Sequence, residues 1–561
     1  MPQRYSRREF VRQSLGWTAL VVVGCRGRRG TTGGEVVAGD PTSPIDLEPD
    51  FSLVATPGEL PFYRGFNGDN WRRPHDLLLD PDTAIAKLPG GRLPDAGETA
   101  SVVVIGGGVA GLSTAYLLRD LKPVLLEQAA RFGGNAKGER WRQSNYAIGA
   151  AYFIQPKEGD KFHRLYREIG ILGSVRKLEV PDPVEFRGKI YRKFFDGEAA
   201  PGAEAVFQAY RKKMKYYANE AYPDIPIVEE AGRKLVTDLD RRSLQDVVGE
   251  WCGGKVPEAL RAALQNYCYS SMGCGWQEVS AAGAINFLAG EEFGVLAAPA
   301  GNATLAKALR DGIVSSGAGP GLRAGCLAFR VEKTPGGVRV AYADARGGVQ
   351  VISARAAVLA CPKFAAKHIL VDIESDREKA IDELEWRGYM VVNVLLGRGI
   401  EDDFYDMYLL HDGAVVESGT VPTRATDVIL GNWAAHPIDP KDHSVLTLYW
   451  PLPYTAAREE ILHRDDAWDF LRPQVEKQVL DVCSLLGVGV ADVKQVRMTR
   501  WGHAVPLSKV GFIANGYAEA VRRPIDGKIF FVNQDNWALP AVETALQEAF
   551  TFAPEIRAAT S

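Results

Sequence analysis

Gly106, Gly108 and Gly111 carry the spacing of a glycine turn between a strand and a helix, a backbone arrangement that can hold a phosphorylated ligand. Before them, residues 102 to 105 are a short β-branched run suited to a buried parallel strand, and after them residues 109 to 119 place apolar positions at helical spacing. Gly106 allows the tight turn, Gly108 lets a pyrophosphate approach the backbone, and Gly111 lets the helix pack closely on the strand. The helix N-terminus, with Ala110 in its first turn, then offers free N–H groups and a partial positive charge to the phosphates. A second apolar run, residues 123 to 126, ends in Glu127, which lies 21 residues beyond Gly106. Its carboxylate can accept both hydroxyls of an adenosine ribose and would repel a 2′-phosphate, which favours FAD or NAD over NADP.

The continuation Glu127-Gln-Ala-Ala-Arg131-Phe-Gly133-Gly134 resembles the segment after the second strand in the FAD-dependent amine oxidase superfamily, which also holds phytoene-type desaturases and protoporphyrinogen oxidases. The resemblance returns near the C-terminus, where Gly527 to Ala545, with Asp535, Trp537, Pro540, Val542 and Glu543, looks like the family's closing motif. By that resemblance FAD is the cofactor. Arg131, Gly133 and Gly134 would contact it, Asp535 would reach its ribityl and pyrophosphate, and a helix carrying Val542 would start beneath the flavin ring. Pro540 suits a first helical turn and Glu543 an electropositive helix start. A third match, from Pro299 to Leu309 and on through Phe329 and Gly337 to Pro362, implies that the backbone of Val331 contacts the adenine. The implied fold class is α/β: a discontinuous Rossmann-like FAD-binding domain and a mixed α+β substrate domain.

Enzymes of this kind need little acid–base machinery, because the protein supplies position, desolvation and tuning to the flavin. Candidate side chains facing the ring are the aromatics Trp501, Trp537 and Tyr152, each of a type that also fills cores. His503, beside Trp501, is a candidate base or hydrogen-bond partner at the flavin edge. Two departures from the family pattern stand out. The stretch Trp386 to Leu395, where many amine oxidases carry a lysine near flavin N5, has none, and Asn135 replaces the last arginine of the usual Arg-x-Gly-Gly-Arg, with Lys137 nearby. The leading expectation is oxidation of a small or medium amine, polyamines included, by hydride transfer to flavin N5 and hydrolysis of the imine. Dehydrogenation or isomerisation of a lipophilic, polyene-like substrate is the alternative, and a flavoprotein acting only as a redox partner of an envelope complex is a third reading.

Ser6-Arg7-Arg8-Glu9-Phe10-Val11 matches a twin-arginine export signal, and the apolar segment from Leu15 to Val23 is too short to span a bilayer. Val22-Val23-Gly24-Cys25 resembles a lipoprotein cleavage box, making Cys25 a candidate lipid anchor. An ordinary export signal with an incidental Cys25 is the other reading, as is a basic N-terminal segment with no address. Export folded around FAD, into the periplasm or cell envelope, leaves dioxygen, a quinone or a periplasmic carrier as electron acceptor. Removal of residues 1 to 24 leaves 62 basic and 69 acidic side chains, a net charge of −7, and nothing points to nucleic acid.

At 561 residues, 46% hydrophobic, the chain is long enough for more than one domain. Residues 25 to 99 read as a linker and N-terminal extension, with 61 to 99 expected to wrap the surface. The FAD-binding domain is expected from 100–155, 292–370 and 490–557, and the substrate domain from 156–291, largely helical, and 371–489. Seven scattered cysteines and eight histidines show no metal-ligand spacing.

Overall fold

Val102, Val103, Val104 and Ile105, all buried, end the Glu98–Ile105 strand inside a seven-stranded sheet. The computed structural model describes residues 40–561 except 41, 46–47, 56–59, 180, 403, 413–423, 436–441, 453 and 455. The twin-arginine motif, the apolar segment behind it and Cys25 lie outside the described residues. Leu322–Ala324, Val124–Glu127, Glu98–Ile105, Val349–Leu359 and Ile529–Phe531 run parallel in that order, and the antiparallel pair Gly337–Ala343 and Leu327–Thr334 extends the sheet. The strands therefore come from three separated stretches of chain. Both faces are covered: helices Val109–Leu117 and Val542–Thr560 pack Leu112, Ala115, Leu546 and Ala549 on one side. Burial on both faces is why these strands read as unbroken apolar runs and not as alternating ones.

A second sheet of nine strands is ordered Val54–Ala55, Phe62–Gly68, Val493–Pro506, Trp386–Leu396, Ser444–Leu452, Asp427–Leu430, Asp406–Leu409, Val184–Phe186 and Lys189–Tyr191. Helix Ala467–Leu485 covers one face through Leu471, Val475, Val479 and Val482. The opposite face looks towards a helical layer that includes Glu258–Met272 and Ala281–Gly290.

Two segments differ from the sequence expectation. The Val493–Pro506 strand, assigned above to the FAD-binding domain, pairs along the whole Trp386–Leu396 strand and so belongs to the second sheet. Residues 61 to 79 do not simply wrap the surface. Phe62–Gly68 pairs parallel with Val493–Pro506, and Asp69 to Leu79 form part of a cavity wall. The apolar Phe62, 1% exposed, drives this by filling the core beneath helix Ala467–Leu485.

Candidate active site

One cavity of about 1460 Å³ joins the ends of the two sheets, larger than the roughly 300–1,000 Å³ of a site for one small molecule. At one end lie Gly106, Gly107, Gly108, Ala110, Glu127, Gly133 and Gly134; at the other lie Asp406, Tyr408, Asp427 and Tyr449.

The dinucleotide end is made mostly of backbone. Gly106 has φ +110, and a Cβ at Gly111 would overlap the Gly106 carbonyl oxygen, so turn and helix packing both require glycine. Gly108 faces Gly134 across a backbone bridge to Gly133, leaving a channel without side chains over the first helical turn. Glu127 accepts from the N–H of Gly107 at 2.7 Å and of Ala129 at 2.8 Å, which holds its carboxylate at the channel edge. Asp535 also lines the cavity, but Lys363 donates to both its oxygens, from Nζ and from the backbone N, each at 2.7 Å. Lys363 and Asp535 are 0% and 1% exposed, so this ion pair neutralises the carboxylate where a pyrophosphate would otherwise be repelled, and the remaining lone pairs of Asp535 can still accept. Val542 lines the cavity at the start of helix Val542–Thr560, and Glu543 in its first turn accepts from the N–H of Ile154 at 2.7 Å.

Several expected contacts lie elsewhere. Gly111 does not line the cavity; its part is the packing just described. Arg131 is turned to the carbonyls of Ser43, Pro44 and Gly138, because the described N-terminal extension offers it acceptors there, and it leaves the cavity to Lys137. The Lys137 ammonium is buried at the cavity wall, 5.8 Å from the Trp501 ring, and burial pulls its pKa down against the opposing charges of Glu127 and Asp69. Val331 is paired to Val340 in the middle of its strand, so Leu327 and Ala328, nearer the strand start, take the cavity position expected of it. Trp537 is 2% exposed in the core, donating to Glu548 at 3.1 Å, and is no part of the cavity wall.

The residues fit a flavin dinucleotide. Besides the glycine channel, Thr544 Oγ1 and Asn302 Oδ1 are buried at the cavity without partners among the described residues, which suits a ligand that supplies many polar atoms.

Trp501, His503 and Tyr152 all line the cavity. The strand register explains how they meet further residues that the sequence alone did not single out. Tyr389 pairs with Trp501, Val391 with Tyr449, Tyr449 with Asp427, Asp427 with Tyr408 and Ile429 with Asp406. Side chains alternate along each strand, so all of these share one face of the second sheet. Polar residues at alternate positions inside otherwise apolar strands were the available signal.

Across from that face, Glu291 accepts from Tyr267 at 2.7 Å and Tyr152 at 3.2 Å. Burial raises its pKa to about 7, against the pull of those two hydroxyls. Asp427 accepts from Thr426 at 2.6 Å and Ser270 at 2.7 Å, and burial raises it to about 6. Asp406 is pushed well above the usual carboxylate range by burial and by the charges of Asp427 and Asp182. His503 stacks on Phe364 with ring centroids 3.8 Å apart, and burial with Arg458 and the histidines 463 and 75 holds it well below the usual imidazole value. It is a neutral hydrogen-bonding group, poorly suited to hold a proton.

The family profile for flavin containing amine oxidoreductase matches residues 109–550. The chain belongs to that family. It is an FAD-dependent oxidoreductase, in keeping with the glycine channel and the cavity. Oxidoreductase PigB of Serratia sp. (strain ATCC 39006) is similar to it at 22% identity over 82% of this chain and 76% of that protein. Among solved structures, putrescine oxidase bound to putrescine aligns with TM-score 0.61 at 14% identity, over 82% of this chain and 99% of that one. A CLA-producing fatty acid isomerase from P. acnes aligns with TM-score 0.58 at 15% identity, over 81% of this chain and 98% of that one. Shared architecture at that identity fixes the fold, and the substrate must be argued from the chamber.

Proposed function

We propose that this oxidoreductase dehydrogenates an amine. The observation that carries the reading is the chamber of carboxyl and tyrosine groups opening onto the flavin channel. Glu291, Asp406 and Asp427 line it, and no lysine or arginine bonds to any of the three among the described residues. Such a pocket favours a cation, through its carboxylates and its aromatic faces.

Bound FAD would accept a hydride equivalent from the amine α-carbon, leaving an imine that water hydrolyses to carbonyl product and ammonia or a smaller amine. The protein must hold the amine and take one proton from its ammonium first. Glu291 is placed for both, between Tyr152 and Tyr267. Moving a proton from an alkylammonium near pKa 10.4 to a group near 7 is uphill on the order of a thousandfold in water, and desolvation of the ammonium in the chamber lowers that barrier. Tyr152 positions Glu291, Trp501 offers an aromatic wall, and the buried sheet face limits access of bulk water.

Anaerobic bleaching of the flavin band by members of an amine panel tests this. Bleaching by none of them would end the reading. A second reading, dehydrogenation or isomerisation of a lipophilic substrate, is favoured by one feature: strand Trp386–Leu396 carries no lysine. It expects bleaching or turnover with polyenes and none with amines.

The address is also a proposal: folded export by the twin-arginine route, a lipid anchor at Cys25, and dioxygen, a quinone or an envelope carrier as acceptor. Arg7→Lys with Arg8→Lys should leave the protein in the cytoplasm, and Cys25→Ala should free it from membranes. Unchanged fractionation in either variant would remove the corresponding part.

A further inference from the structure

We propose that residues 40 to 45 form a clasp that ties two walls of the dinucleotide channel together and slows the loss of FAD, with Arg131 as its positioning residue. The inference needs neither the amine reading nor the proposed address.

The first wall is the loop from Arg131 to Gly138. Its Gly133 and Gly134 line the channel, and the Gly133 N–H donates to the Gly107 carbonyl at 2.8 Å. Phe132 lies beneath the glycine turn, where a Cβ on Gly107 would come within 2.6 Å of its ring, so the loop and the turn are in register. The clasp is bonded to this loop at both ends. The Phe132 N–H donates to the Thr42 carbonyl at 3.2 Å and the Gly138 N–H to the Pro44 carbonyl at 2.9 Å. Between them the Arg131 guanidinium donates to the carbonyls of Ser43, at 3.1 Å, Pro44 and Gly138. Three successive carbonyls of the clasp, from Thr42 to Pro44, thus accept from one short loop.

The second wall is the start of helix Ala303–Ile313, where the buried Asn302 lines the cavity. Ile45 is buried against Ala300 and Ala303 at that start. Two turns further along, the buried Arg310 pairs with Asp40 and donates to Thr42 Oγ1 at 2.8 Å. The clasp therefore grips the helix at Asp40 and Ile45 and the loop in between. Moving the loop away from the helix must break one set of these contacts, and that movement widens the channel. Ser43 is buried, so without Arg131 its carbonyl would lose a donor where water cannot readily replace it. Arg131 and the clasp stabilise each other in this way. Although Arg131 belongs to the glycine loop, it acts on the cofactor through the position of that loop and not by reaching into the cavity.

The test uses the FAD-loaded protein and two readouts: the rate of FAD release after large dilution, from the rise of free-flavin fluorescence, and amide hydrogen exchange. Arg131→Met removes the donors to the clasp, and Ile45→Asp lifts the clasp from the helix. Each should speed release about tenfold or more, and the two together should exceed the faster single variant by no more than about threefold, because both break one clasp. Amides of residues 131–138 should exchange faster in both variants, while those of strand Ser444–Leu452 keep the unaltered rate. Faster release in Arg131→Met alone, with Ile45→Asp unchanged, would overturn the clasp and give Arg131 a direct contact with FAD. Multiplying effects, or faster exchange in both regions, would overturn it in favour of a general loss of stability, and unchanged release in both variants would overturn it outright. Should Ile45→Asp fail to fold, Asp40→Asn, at an exposed residue, should speed release about threefold or more, and an unchanged rate there would overturn the proposal.

Discussion

The dinucleotide channel and the substrate chamber are two ends of one cavity built in opposite ways. The channel is made from short contiguous runs, residues 106–111, 127–134 and 533–545, and its contacts are mostly backbone. The chamber is made from side chains contributed by widely separated segments, among them Tyr152, Glu291, Tyr389, Asp406, Asp427, Tyr449 and Trp501. A backbone site depends on which residue lacks a Cβ, and a side-chain site depends on which strands become neighbours. Substitutions at the first end should therefore remove the cofactor, and those at the second should change chemistry while the cofactor stays.

The largest effect is expected at Gly111→Val, whose branched side chain would collide with the Gly106 carbonyl and push the helix off the strand. The purified variant should carry no flavin band near 450 nm, and a normal band would refute the account of the turn. Glu291→Gln should keep the flavin band and slow its anaerobic reduction by the best amine about 10²–10⁴-fold. In the unaltered enzyme that rate should rise with pH through about 7 as Glu291 ionises.

The same variant sharpens the comparison through stability. The folded pKa of Glu291, about 7, lies above its ordinary 4.5, so the unfolded chain loses this proton first. Its contribution is intact below about pH 4.5 and is lost as pH rises towards and through 7. Between pH 4.5 and 8 this group should cost the ligand-free protein on the order of 3 kcal/mol, and Glu291→Gln should flatten that part of the profile in denaturant titrations. His503→Ala should change the reduction rate by less than about tenfold, since the imidazole is held neutral against Phe364; a fall beyond a hundredfold would restore it as a base. The smallest effect is expected at Trp537→Phe, which removes one donor to Glu548: about 1 kcal/mol of stability and no change in amine dependence.

The residues singled out for the channel meet at one cavity because the rules that join them are local. Gly106, Gly108, Ala110, Glu127, Gly133 and Gly134 line the cavity, each within a run whose order in the chain is its order in space. Where the reading failed it had assumed that a motif residue keeps its direction. Arg131 found carbonyls in the extension, Trp537 found Glu548, and Val331 lay too far along its strand. Segment 61 to 79 was harder to place, since nothing in a short aromatic stretch says which sheet edge it will join.

By itself, then, the sequence determined a strand–turn–helix with the glycine spacing of a dinucleotide site, an acidic residue at the end of the next strand, and a second helix start on the same cavity, because backbone geometry follows from glycine placement and apolar period. Only the tertiary structure decided that Asp406, Asp427, Tyr449, Tyr389 and Trp501 would share one face and meet Glu291 across it. Strand order across nine strands is set by long-range packing, and a side chain's neighbours on the next strand leave no mark in its own segment.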